Sequence, residues 1–234
     1  MAGVMARRVR LGWLAWTLLG VSVVLSVLSM AVPAFVDHPL TTERGEIRLY
    51  LDVIEEGNLP TWWSTGLLVL GALVHCCTAA AAWGPARREA WAWLGSAALL
   101  VLLSLDEHTQ LHERLDRVGR ELVTYESFPF YWLLPGLVIG AAVVLALALL
   151  AGRLRGPARW CCIAGCLLLL GAALGGELLQ GVLLGSGETG VGYVLTYHAE
   201  ELGENIGALL MVAAAVQALR LTRSDHGVEI SYAS

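Results

Sequence analysis

The sequence predicts an all-α integral membrane protein, a bundle of six transmembrane helices. Three observations predict it. The 234-residue chain is 57% hydrophobic and only 15% charged, too few polar side chains to coat a soluble domain. Its mean hydropathy is +0.66. Apolar runs of about 20 residues, the length that crosses the hydrocarbon core of a bilayer as a helix, occur six times along the chain.

The first run extends from Leu11 to about Val32 and is expected to stop before Pro33. Arg7, Arg8 and Arg10 with Ser29-Met30-Ala31 give it the outline of a signal peptide. Its apolar core exceeds the roughly 7–15 residues of such segments, so a retained helix is expected. The second run spans Trp62 to Trp83 and ends at Gly84-Pro85. The third starts at Trp91, stays apolar to Leu105 and then turns polar. Leu115, Val118 and Leu122 beyond it read as an amphipathic continuation of the same helix. The fourth covers about Tyr131 to Ala151, the fifth Trp160 to about Leu184 and the sixth Tyr197 to Leu219. Residues 1–221 thus form the membrane domain, and 222–234 read as a short, disordered cytoplasmic tail.

Arginine placement sets the expected orientation. With the N-terminus inside, ten arginines flank the inner ends of the spans and five the outer ends, so both termini are expected in the cytoplasm of a cell-membrane protein. No basic patch with interleaved aromatics occurs, which argues against nucleic acid as a partner. Membrane lipid is the expected surrounding partner, with a homo-oligomer or another membrane subunit as further candidates. The five cysteines lie in apolar stretches and read as small buried hydrophobes. Walker, His-Glu-x-x-His and Gly-x-Ser-x-Gly signatures are absent.

The chemistry is carried by acids placed where acids are costly. A charged side chain at mid-bilayer costs about 2.5–3.5 kcal/mol on insertion scales, so intramembrane carboxylates read as functional. The third span ends in Asp106-Glu107-His108, followed by His112-Glu113; on a continuous helix Asp106 and Glu113 fall about 20° apart on one face. The fifth carries Glu177 after Gly175-Gly176, a lone acid among small residues that permit close helix approach. The sixth opens with His198, Glu200, Glu201 and Glu204. His198 and Glu201, three apart, reverse the Glu-x-x-His spacing of carboxylate di-iron bundles. First-turn acids also suit the helix dipole, which accounts for Glu200 but not for Glu204. In the expected topology these groups, with Glu55-Glu56 before the second span, converge on one membrane face.

Glu55-Glu56-Gly57-Asn58-Leu59-Pro60-Thr61, Leu103-Ser104-Leu105-Asp106-Glu107 with His112-Glu113, Glu177 after Gly175-Gly176, and Glu200-Glu201-x-x-Glu204 carry a resemblance. In these elements the chain resembles a family of uncharacterised prokaryotic multi-pass membrane proteins. The resemblance covers most of the chain and implies a membrane fold with a shared site. His108 and His198 fall outside its pattern.

The leading expectation is a membrane-embedded metalloprotein with a site near the extracytoplasmic face. It is expected to be a metal-dependent oxidoreductase or hydrolase acting on a lipid-soluble or periplasmic substrate. Expected ligands are Asp106, His112, Glu113, Glu177, His198, Glu201 and Glu204, with Glu107 and Glu200 as catalytic proton-transfer groups. Carboxylate and imidazole donors suit Fe, Mn or Zn, as one ion or a dinuclear pair bridged by carboxylates. Two alternatives stay open: a proton- or cation-coupled transporter using the same acids, and an accessory subunit whose acids pair with a partner's arginines.

Overall fold

The computed structural model describes residues 5–8, 12–124, 128–224 and 227–233. In chain order it comprises β1 (Met5–Arg8), α1 (Gly12–Phe35), α2 (Glu46–Leu51), α3 (Leu59–Ala82), α4 (Arg87–Thr109), α5 (Leu111–Arg114), α6 (Asp116–Leu122), α7 (Leu133–Arg153), α8 (Gly156–Gly185), α9 (Val191–Gln217), β2 (Leu219–Ser224) and β3 (Gly227–Tyr232). Five helices, α1, α3, α4, α7 and α8, are long and apolar enough to cross a membrane. The sixth expected span corresponds to α9, which is 27 residues long but carries Glu200, Glu201 and Glu204 in its first half. The expected start of the first span at Leu11 lies outside the described residues.

Three expectations about elements are corrected. The first span runs past Pro33 to Phe35, because a proline in the last turn forfeits one backbone bond without interrupting an interior turn. The stretch after Glu113 does not continue the third span; the chain breaks at Gln110 into the short helices α5 and α6. The described residues of the tail, 222–224 and 227–233, are not disordered. They contribute to an antiparallel sheet of order β1-β2-β3, with Arg8 opposite Arg220 and Leu221 opposite Ile230. Val228, Ile230 and Tyr232 alternate with polar residues, a period of two that suits a strand but is too short to stand out. Pairing of β1 with β2 brings the first and last described strands to one end of the bundle.

Two packing arrangements position the helices. Buried serines along α1 fasten it to its neighbours: Ser22 Oγ accepts from Trp63 Nε1 at 2.9 Å, and Ser29 Oγ accepts from the backbone N–H of Val53 at 3.2 Å. Between α8 and α9, glycines let the backbones meet. A Cβ at Gly207 would lie 2.5 Å from the Leu169 backbone nitrogen, and one at Gly165 would lie 3.0 Å from the Gly207 carbonyl oxygen.

Toward the sheet the bundle is solid. Trp93, Met211, Ala214 and Ala215 are fully buried there. His75, also fully buried, pairs through Nε2 with the Met211 carbonyl at 3.0 Å and meets Trp93 edge-on at 4.9 Å. Trp93 Nε1 donates to the Tyr232 hydroxyl at 3.2 Å, tying β3 to α4. Gly207→Val should overpack the α8–α9 seam, costing about 1–3 kcal/mol. A thermal melt of the purified variant should show a lowered Tm, and an unchanged melt would mean that the seam is not tight.

Candidate metal centre

The segment Glu55-Glu56-Gly57-Asn58-Leu59-Pro60-Thr61 is a turn that delivers one acid into the bundle. Gly57 takes φ +75°, a backbone conformation that side chains disfavour. Asn58 then caps α3: its Oδ1 accepts from the Thr61 N–H at 3.2 Å, while its Nδ2 donates to the carbonyls of Leu49 and Asp52 at 2.9 and 2.6 Å. Pro60 occupies the first turn of α3, where a missing N–H is harmless. Held between α2 and α3, Glu56 faces the end of α4.

That end is built around Gln110, which sits in the left-handed region at φ 54°, ψ 43°. The conformation is uncommon for a non-glycine residue. Here it ends α4, and Asp106 reaches forward across the break to His112. Asp106 Oδ1 accepts from the His112 backbone N–H at 2.7 Å, and Oδ2 pairs with His112 Nδ1 at 3.0 Å. A carboxylate on Nδ1 fixes that nitrogen as the proton carrier and leaves Nε2 as the acceptor, the tautomer a metal-binding imidazole uses. The His112 ring also packs on Trp132, centroids 4.6 Å apart. Trp132 in turn lies over Gly136, where a Cβ would come within 2.5 Å of the indole.

Glu56, His112 and Glu113 bring one ligand atom each within 4.8 Å of one another. Three ligands spread around an ion with bonds of about 2.1 Å lie at most about 3.6 Å from one another, so the trio closes on a cation by moving together by up to about 1 Å. They form the rim of a cavity of about 790 Å³. Eight carboxylates line it: Glu56, Asp106, Glu107, Glu113, Glu177, Glu200, Glu201 and Glu204. Arg114 joins them at the rim. Ser64 Oγ donates to Glu107 Oε1, and Gln180 Nε2 donates to Glu200 Oε2. Gly176 makes room for Glu200, since a Cβ there would strike the carboxylate. Glu56 Oε2 and Glu177 Oε2 are buried without a hydrogen-bond partner among the described residues. Buried acceptors in that state cost free energy that a cation or a proton removes.

Of the nine residues expected at the site, eight line this cavity: Asp106, Glu107, His112, Glu113, Glu177, Glu200, Glu201 and Glu204. Asp106 reaches it as the partner of His112, with both oxygens engaged. Its alignment with Glu113 on one continuous helix face is corrected, since the helix breaks at Gln110 between the two. His198 is turned toward α1: Nε2 pairs with Ser29 Oγ at 3.0 Å and Nδ1 with the Val194 carbonyl at 2.8 Å. Both ring nitrogens are thereby engaged away from the acids. Glu56 joins the centre without having been singled out as a ligand; its signal was the Gly-Asn-x-Pro turn that follows it.

Outside the spans, the electrostatics show how crowded the rim is. Burial pushes the Glu56 carboxyl up to about 8, with Glu107, Glu113 and Asp106 adding to the rise and His112 opposing it. Burial works against charging His112, but the hydrogen bond and charge of Asp106, with help from Glu177 and Glu56, outweigh it and hold the imidazole above its ordinary value.

The chain belongs to the family described as Domain of unknown function (DUF8692), whose model matches residues 5–219. No curated protein and no solved structure matches it.

Asp106→Asn keeps an acceptor for the His112 backbone but removes the charge that raises its imidazole. In metal-free protein, NMR titration should therefore find His112 above its ordinary value in the wild type and at a lower value in the variant. An unmoved His112 would show that Asp106 does not govern it.

Proposed function

We propose that this DUF8692 member is a membrane-embedded metalloprotein that holds a divalent Fe, Mn or Zn ion on Glu56, His112 and Glu113. On this reading it is an enzyme acting on a lipid-soluble substrate in the cavity behind that ion. α9 then counts as the sixth span, with the cavity opening on the extracytoplasmic side and both termini in the cytoplasm. The observation that carries the proposal is the convergence of Glu56, His112 and Glu113 within 4.8 Å, with the His112 tautomer set by Asp106. The unpartnered oxygen of Glu56 supports it.

The roles follow from placement. Asp106 orients His112 rather than binding the ion. Glu107 and Glu200, which accept from Ser64 and Gln180, are held at fixed positions inside the cavity, placed to exchange protons with a bound substrate. Glu177, Glu201 and Glu204 lie behind the trio, where they neutralise one another by sharing protons or by taking a second ion. A bound divalent ion would supply Lewis acidity or an activated water at neutral pH. The solid packing of Trp93, Met211 and Ala215 between the cavity and the sheet favours an enzyme over a through-going carrier.

Purified protein should retain about one Mn, Fe or Zn per chain, measured by elemental analysis after desalting. His112→Ala and Glu56→Gln should each lower affinity at least tenfold. Two ions per chain, one of them lost in Glu177→Gln, would extend the site to a dinuclear centre. Wild-type protein that binds none of the three metals at micromolar concentration would overturn the proposal and favour proton coupling.

A further inference from the structure

The cavity is not sealed from the side of the bundle. Its lining on α4 follows one helical stripe, Leu99, Leu102, Leu103 and Asp106, at spacings of three and four. The lining on α8 repeats the order with Leu170, Ala173, Leu174 and Glu177. Each stripe is apolar near mid-span and acidic toward the metal centre. Leu102 and Ile139 line the cavity and are also 59% and 53% exposed. Between α4 and α7, then, the cavity reaches the face that meets hydrocarbon in a membrane. On α7 the neighbouring lining positions are Gly136 and Gly140, whose missing side chains make room for Trp132 and Leu174.

The two stripes describe an amphiphile. Leu102 precedes Asp106 by four residues, about 6 Å of helix. A molecule with its polar end at the acids would leave the protein through the gap within a few carbon atoms. The volume of about 790 Å³ lies in the roughly 300–1,000 Å³ range of small-molecule sites. Head chemistry is limited from both directions. A permanent charge would have to pass Leu102 and Ile139 unpaired, which is costly. An anionic head would also meet eight carboxylates. A neutral oxygen, hydroxyl or carbonyl, passes the gap and then hydrogen-bonds protonated acids or approaches the ion.

We infer that the substrate is a neutral, long-chain alcohol or carbonyl compound dissolved in the bilayer, entering sideways between α4 and α7 with its oxygen directed at the carboxylate cluster. This deepens the metal-site proposal and rests on it for the chemistry, though the entry route is tested separately. The test uses the full chain in lipid nanodiscs with a sixteen-carbon primary alcohol carrying a mid-chain diazirine. Photolabelling should be saturable and concentrated on peptides containing Leu102 and Ile139. Leu102→Trp with Ile139→Trp should reduce it at least fivefold while metal content stays unchanged. The carboxylic acid of equal length should compete at least tenfold less well than unlabelled hexadecanol. Labelling spread evenly over the outer helix faces, or unaffected by the double substitution, would overturn the entry route. Equal competition by the acid would overturn the neutral head. Specific labelling of the gap in protein that binds no metal would uphold the route and remove the metal reading instead.

Discussion

A carboxylate taken out of water must acquire a proton, a cation or a shell of hydrogen bonds, because the bare charge is too costly in a medium of low dielectric. One end of this bundle is organised around that requirement. Glu107 and Glu200 meet it with Ser64 and Gln180. Asp106 meets it with both donors of His112. Glu56 keeps an oxygen without a hydrogen-bond partner among the described residues, and the free oxygen of Glu177 has only the Trp132 indole beside it. The helices that bring these acids together are held by features that tolerate little change: the α8–α9 glycines, the serines of α1, and the left-handed residue Gln110.

The same requirement explains the asymmetry of the fold. The sheet end is packed tightly around Trp93, His75 and Met211. The acidic end is hollow, with apolar walls that give way to carboxylates along single helical stripes. A packed core of ordinary density would leave no space there. Stability taken from the closed half supports an open half that carries unsatisfied groups, a division common where binding sites sit on rigid scaffolds.

Much of this was legible in the sequence. The apolar runs gave five spans directly, and α9 was visible although its three glutamates depress its hydropathy. Eight of the nine expected site residues line one cavity, because acids in apolar runs have few reasons to be there other than one another. What was hidden was local geometry. A helical wheel assumes a continuous helix, and the left-handed turn at Gln110 has no glycine to announce it. His198 has the spacing of a ligand, yet its direction depends on Ser29, a residue 169 positions away. The paired strands at the two ends are short, and their partners lie at opposite ends of the sequence.

Proton counting during metal binding tests the central claim most directly. Ligands must shed protons to bind a cation, and Glu56, held near 8, is largely protonated at neutral pH. With His112 also raised, the apparent affinity for Zn or Mn should climb about ten- to a hundredfold per pH unit from pH 6 toward 8, then flatten. At pH 7 in dilute buffer, each bound ion should release about one to two protons. The sign follows from both groups: each binds its proton in the metal-free fold and must lose it to become a ligand. Affinity that is flat with pH and accompanied by no proton release would contradict a site built on Glu56, His112 and Glu113.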